Sequence, residues 1–234
     1  PLREDLPPKA MGRAAAYYPL VGAVLGLLLA GADQMLALVL PLSLRSALVV
    51  ALWVGLTGAL HLDGFLDCCD GLLAPVPAER RLEILRDVHM GSFAVAGGVL
   101  LLLAKYAALA SLAGPLRLAT LVAAPTLGRW AMTYALVACP YARSGAGLGR
   151  LVKEAAGARE LAIATLLALV AAGGAWRLGG LAALPLTWGL AALLAAWIQT
   201  RIPGLTGDTY GAINELVEVA WLVAAVAFVG ARGG

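Results

Sequence analysis

Apolar stretches recur from one end of the chain to the other, separated by short segments in which Pro, Gly and charge gather. A helix needs about 20 mostly apolar residues to cross a bilayer core. Runs near 17–39, 46–62, 92–112, 118–139, 160–175, 180–199 and 212–230 approach that length. The pattern predicts an all-α, polytopic integral membrane bundle of about seven transmembrane helices, forming a single domain over residues 1–234. The hydrophobicity is spread evenly, so no segment reads as a cleavable signal peptide, which would need a basic start, a short apolar run and a small-residue cleavage site.

Composition agrees with the pattern. Of 234 residues, 62% are hydrophobic and 13% charged, against about 25% charged in a soluble domain. Alternating the loops between two sides collects Arg3, Lys9, Arg13, Arg80, Arg81, Arg86, Arg143, Arg150, Lys153, Arg159 and Arg201 on one face, and only Arg45, Arg117, Arg177 and Arg232 on the other. Basic residues mark the cytoplasmic side. The N-terminus and the segments near 63–91, 140–159 and 201–211 are therefore expected in the cytoplasm, and most acidic residues fall on that side too. The net charge of +3 is small and its basic residues are scattered, which argues against nucleic acid as a partner. Cys68, Cys69 and Cys139 have no metal-ligand or redox spacing.

The sharpest local signal is the run His61-Leu62-Asp63-Gly64-Phe65-Leu66-Asp67-Cys68-Cys69-Asp70-Gly71. Asp63, Asp67 and Asp70 stand at i, i+4 and i+7, within about 60° of one another on a helix. Carboxylates that close repel, and near a membrane they need a cation among them. Oxygen-only ligands suit Mg²⁺, Mn²⁺ or Ca²⁺. The plain alternative is a solvated loop with capping aspartates. His61 points away from the acidic face and is expected to support rather than ligate.

A second signal is Gly204-Leu205-Thr206-Gly207-Asp208, continuing through Glu215 to Glu218 in an apolar helix. Glycines let backbone amides approach a ligand, and Asp208 and Glu215 add two carboxylates. Glu215 and Glu218 have a blander reading as partners of a basic residue on a neighbouring helix. The tetrapeptide Gly204–Gly207 repeats Gly55-Leu56-Thr57-Gly58, which in a chain this rich in Gly and Leu is ordinary coincidence.

The stretch 79–92 reads as a charged surface helix with solvated salt bridges, ending in Asp87 and His89 beside a helix start, where exposed amides attract anions. Arg143 lies in the glycine-rich connection Tyr141–Gly149, suited to a phosphate or to a large amphiphilic substrate. Lys105 and Arg129 lie within spans and must face protein or a wet cavity. Lys105 and Asp33 come out at similar depth, so an ion pair between them is expected, and Arg129 is expected to reach a cavity opening inward.

Together these segments resemble the cobalamin synthase family, the adenosylcobinamide-GDP ribazoletransferases. The resemblance rests on His61-Leu62-Asp63-Gly64 through Asp70-Gly71, Arg86-Asp87 through Gly91, Lys105-Tyr106, Gly128-Arg129, Ala142-Arg143 with Gly147-Leu148-Gly149, and Thr206-Gly207-Asp208 through Glu215 and Glu218, with Tyr18-Pro19-Leu20-Val21-Gly22 similar to the opening span. Cys68 stands where threonine is common, Ser144 where proline is usual and Ala94 where glycine is usual. The resemblance implies a transferase of cobalamin biosynthesis in a prokaryotic cytoplasmic (inner) membrane, its site facing the cytoplasm. Such an enzyme joins adenosylcobinamide-GDP to α-ribazole or α-ribazole 5′-phosphate, gives adenosylcobalamin or its 5′-phosphate, releases GMP and requires Mg²⁺.

Carried onto this chain, Asp63, Asp67 and Asp70 with Asp208 or Glu215 are the expected metal ligands, and Asp67 or Asp70 the general base. His61, Asp87, His89, Arg129, Arg143, Thr206 and Gly207 are the expected substrate contacts. Membrane lipid surrounds such a protein, and a homo-oligomer is compatible with the reading. Other classes are a cation- or proton-coupled transporter, whose acids usually gather at the midplane, a lipid-binding structural subunit, and another Mg-dependent phosphotransferase of the CDP-alcohol type, whose aspartates are spaced differently.

Overall fold

A computed structural model describes residues 12–143, 148–176 and 178–233. Ten helices cover most of them: α1 (Tyr18–Leu36), α2 (Leu42–Leu56), α3 (Leu60–Leu73), α4 (Ala78–Ile84), α5 (Ser92–Ala110), α6 (Gly114–Ala138), α7 (Leu148–Ala155), α8 (Ala158–Trp176), α9 (Leu178–Gln199) and α10 (Gly207–Gly233). Ser144 and the glycine-rich stretch to Gly147 lie outside the described residues, as do Arg3, Lys9 and Arg177.

Five helical stretches are long and apolar enough to cross a membrane, or six if the bent pair α2 and α3 counts as one span. The 25-residue α6 is long enough too, but it is the central helix, covered by α1, α8, α9 and α10, and carries the buried Arg117 and Arg129. About seven is thus an approximate count for an all-helical membrane protein. Leu27, Leu28, Leu100, Leu103, Leu166, Val170, Leu186 and Leu193 are exposed on the outer helices, as expected of side chains facing lipid rather than water.

Small residues set the central contacts. A Cβ on Gly22 would lie 2.3 Å from the Pro125 carbonyl oxygen and one on Gly26 2.6 Å from that of Leu121, so α1 and α6 touch backbone to backbone. Ala164, Ala168 and Ala172, spaced at i, i+4 and i+8 on α8, are fully buried. Close approach of this kind is how helices gain contact where lipid removes the hydrophobic drive between them.

The expected span 46–62 is broken. Helix α2 ends at Leu56 and α3 leaves it at 91°. Thr57 Oγ1 donates to the Trp53 and Val54 carbonyls at 3.1 and 3.0 Å, and Gly58 and Ala59 follow with φ of 58° and 56°. A left-handed alanine costs about 1 kcal/mol, which the packing of α3 against α5 and α10 must offset. Leu56 and Leu60 carry the apolar run across the break, so hydrophobicity alone gives no sign of it.

Charge inside the bundle is paired. At one end Arg117 holds Asp33 through Nη2 at 2.6 Å and Nε at 3.0 Å, with Arg45 3.7 Å away and Ser46 completing the group. The expected Asp33–Lys105 pair does not form. Arginine's planar fork from α6 takes Asp33 bidentately, while Lys105 turns to α10, its Nζ 2.6 Å from both Glu215 and Glu218 and 4.5 Å above the Trp53 ring.

Candidate active site

At the opposite end of α6 and α10 from Asp33, helix α3 crosses the start of α10. The crossing is glycine on both sides: a Cβ on Gly64 would lie 2.9 Å from Asp208 Cα, and one on Gly211 3.2 Å from His61 Cα. Each helix thus meets the other three residues before its own glycine, and Asp208 is carried against the acidic face of α3. Helix α10 starts with a reciprocal cap. The Thr209 amide donates to Thr206 Oγ1 at 3.3 Å and the Thr206 amide to Thr209 Oγ1 at 2.8 Å, a capping box with threonine in the acidic position. Asp208 stands in the first turn, where the helix dipole favours an anion.

Arg143 reaches Asp208 from the other side, Nη2 to Oδ2 at 2.7 Å, and donates from the same nitrogen to the Leu85 carbonyl at 3.1 Å. A single parallel bridge between Tyr141 and Leu205 positions it, with Ala142 N donating to Leu205 O and Leu205 N to Pro140 O, both at 2.8 Å. Gly204 lets those backbones meet, since a Cβ there would lie 2.6 Å from the Pro140 carbonyl oxygen. Two cavities flank Arg143: one of about 340 Å³ toward α7 and one of about 220 Å³ toward α4.

The three aspartates of α3 have different surroundings. Asp63, Asp70 and Asp208 all act as like charges on Asp67, with Arg143 the offsetting cation. Asp70 is spoken for: its carboxylate accepts from the Gly91 amide at 2.6 Å and the Ala94 amide at 3.0 Å, closing the N-terminus of α5. Arg81 turns inward from α4, 6% exposed, to bond the carbonyls of Gly71, Leu72 and Val76 and hold the end of α3.

Other expected site residues lie elsewhere. Glu215 faces Lys105, within a buried cluster in which Arg129 donates to Glu218 Oε1 and to the Pro125 carbonyl, and Asn214 also donates to Glu218. Arg129 therefore spends its charge inside the bundle rather than in an inward-opening cavity. His61 faces this cluster, feeling Arg129, Glu218 and Lys105, as its helical phase away from the aspartates implies. Asp87 and His89 pair in an exposed turn, Nδ1 to Oδ1 at 2.6 Å, and the hydrogen bonds from His89 hold the Asp87 carboxyl below the usual carboxylate range. Gly207 opens α10, and the space a Cβ would enter there is open.

The residues fit a divalent cation in kind. The donors are carboxylate oxygens, and Asp63 and Asp67 make no hydrogen bond or ion pair that would occupy them among the described residues. The set is not drawn tight: among the described residues no three His, Cys, Asp or Glu side chains converge as a metal nest. Arg143 holds one oxygen of Asp208, and Asp70 is committed to amides.

A sequence model of the family described as cobalamin-5-phosphate synthase matches residues 1–226. The chain belongs to that family. It is 43% identical over 230 residues to an adenosylcobinamide-GDP ribazoletransferase of Pseudomonas paraeruginosa, covering 93% of this chain and 88% of that protein. Proteins of the same name from Geotalea daltonii, 39% identical over 227 residues, and Desulforamulus reducens, 38% over 220, cover 94% and 92% of this chain and 88% and 86% of their own. No solved structure matches the chain. For a cobalamin-5-phosphate synthase family member, the motif order seen in the sequence becomes a spatial order: the 61–71, 86–91, 142–143 and 206–208 segments meet at one end of the bundle, while 105, 129, 215 and 218 form a second group deeper in it. The glycine crossing, the amide-capping role of Asp70 and the inward turn of Arg81 have no signature that a single sequence displays.

Proposed function

We propose that this chain catalyses the reaction its relatives are named for, joining adenosylcobinamide-GDP to α-ribazole or its 5′-phosphate at the cytoplasmic side of a prokaryotic inner membrane. A ribazole hydroxyl oxygen bonds to the cobinamide-side phosphorus, the bridging P–O bond of the diphosphate breaks, and GMP leaves. The observation that carries the reading is the meeting of Asp63 and Asp67 with the Asp208–Arg143 pair at one end of the bundle, next to two cavities.

Phosphoryl transfer asks a protein mainly to position the reactants and neutralise charge. Asp63 and Asp208 are the residues that would hold Mg²⁺, which when bound would supply the positive charge that the diphosphate requires. Arg143 lies where it can swing from Asp208 to a phosphate oxygen while Leu85 O keeps its position. Asp67, faced by three carboxylates, is suited to accept the hydroxyl proton. Asp70 keeps α5 and α3 in register by its bonds to Gly91 and Ala94. The lateral Arg80, Arg86, Arg150 and Lys153 support the cytoplasmic placement of this end.

The test is turnover by the purified full chain with adenosylcobinamide-GDP, α-ribazole and Mg²⁺, followed by GMP and cobalamin release. Chelation should abolish product and added Mg²⁺ restore it, and Asp67→Asn and Asp208→Asn should each lower kcat by about 10²-fold or more. Undiminished turnover in both variants, or full activity in chelator, would remove the basis of the proposal.

A further inference from the structure

Helix α3 has two faces. Asp63, Asp67 and Asp70 share one, and Phe65, Cys68, Cys69 and Leu72, spaced i, i+3, i+4 and i+7, share the other. Behind the apolar face lies a cavity of about 430 Å³, backed by Ala212, Ile213 and Leu216 of α10 and flanked by α5 and α9. Its lining carries no charged side chain. The space is roughly three times the ~150 Å³ that admits a benzene ring, so it takes a stretch of hydrocarbon chain. Leu73, Leu100 and Trp197 line it and are exposed, so it opens on the surface that faces lipid. The 91° turn from a spanning α2 lays α3 near the membrane plane, acids to one side and this cavity to the other.

One cation stands at the opening. At the end of α9, Arg201 Cζ lies 5.5 Å from the centre of the Trp197 ring. Arg201 is exposed, and among the described residues no carboxylate pairs with it. An aromatic ring capped by a basic side chain at the end of a span suits the level where bilayer hydrocarbon meets headgroups. The 201–211 segment belongs to the end proposed as cytoplasmic, and the cytoplasmic leaflet is the one that carries anionic lipid.

We infer that this cavity seats one acyl chain of an anionic phospholipid whose phosphate rests on Arg201. The hydrocarbon covers the apolar face of α3 directly behind the aspartates, and the phosphate meets an arginine that the protein's own acids leave free. An apolar recess with a cationic rim matches the two parts of such a lipid. The bound lipid packs α3 against α10 from behind, the same two helices that cross at Gly64 and Gly211 to bring the acidic face to Asp208.

The experiment uses the purified full chain in detergent, delipidated and then titrated with dioleoylphosphatidylglycerol or dioleoylphosphatidylcholine. Bound lipid is read by native mass spectrometry, with Tm beside it. The wild-type protein should hold one phosphatidylglycerol per monomer, with Tm rising as the site fills. It should bind that lipid about fivefold more tightly than phosphatidylcholine, the preference one basic side chain gives at a lipid surface. Arg201→Gln should erase the preference and leave phosphatidylcholine binding unchanged. Ala212→Leu adds an isopropyl group to the cavity wall, so it should weaken both lipids about tenfold by displacing about two methylenes, while raising the Tm of the delipidated protein. A headgroup preference that survives Arg201→Gln, or lipid binding that survives Ala212→Leu, would overturn the site. So would a delipidated Ala212→Leu protein less stable than the wild type, or lipid-dependent dimers in place of a one-to-one complex. None of these readouts is turnover, so the joining reaction stands or falls separately.

Discussion

Gly64 lies against Asp208, so close that a side-chain carbon on the glycine would come 2.8 Å from the Asp208 carbonyl oxygen and 2.9 Å from its Cα. Those are backbone atoms and cannot rotate away. Gly64→Ala should push α3 from α10 and separate the acidic face from Asp208, at a packing cost of about 1–3 kcal/mol. A shift of the order of 1 Å at a reacting centre costs about 10²-fold in rate. The expected outcome is a folded, membrane-inserted protein with about 10²-fold lower kcat. Gly31→Ala, where a Cβ meets nothing within 4 Å, should leave turnover and Tm unchanged.

Asp67 and Asp70 look alike in the sequence and should separate in experiment. Asp67 sits among like charges, so Asp67→Asn should abolish most activity while raising Tm, because repulsion in the folded state is relieved. Asp70 caps α5. Asp70→Ala should lower stability by about 0.5–2 kcal/mol, and Asp70→Asn, which keeps an acceptor, should recover part of it. Tm and kcat measured side by side decide the matter: a drop in Tm for Asp67→Asn as large as for Asp70→Ala would refute the division of labour.

Arg143 donates from one nitrogen to both Asp208 and Leu85. Arg143→Ala should lose the cation paired with Asp208 and the positioning of the 85 and 208 segments together, with kcat down by about 10²–10³-fold. Arg143→Lys carries the charge on a flexible stem without the planar fork, so it should keep Asp208 as a partner and recover only part of the rate. Equal activity of the lysine variant and the wild type would show that charge alone is needed.

The helical membrane class was legible because apolar runs of span length are a direct consequence of bilayer thickness. The acidic face was legible because i, i+4, i+7 spacing fixes phase. Helix phase also placed His61 correctly, away from Asp67. What escaped was anything decided across helices. Arg117 rather than Lys105 took Asp33 because depth along a span says nothing about azimuth, and two cations at one level are indistinguishable until the helices are packed. Asp208 and Glu215 lie two turns apart on one helix, yet only the crossing at Gly64 and Gly211 shows that α3 reaches the first while Lys105 engages the second. The break at Thr57–Ala59 was hidden because Leu56 and Leu60 continue the apolar pattern through it.

The buried cluster of Lys105, Arg129, Glu215 and Glu218 holds two cations and two anions, with Lys105 Nζ 2.6 Å from each glutamate and Arg129 3.0 Å from Glu218. Balance matters more than any single pair, since an uncompensated charge in a bundle interior costs about 3–5 kcal/mol, whereas removing a matched pair is often close to neutral. Glu218→Gln leaves two cations against one anion and should cut the yield of folded protein and lower Tm sharply. Lys105→Met combined with Glu215→Gln removes one charge of each sign and should be the milder change despite altering two residues. The comparison is made by the folded fraction in detergent and by Tm. A double variant less stable than Glu218→Gln would mean that geometry, not charge balance, holds this cluster together.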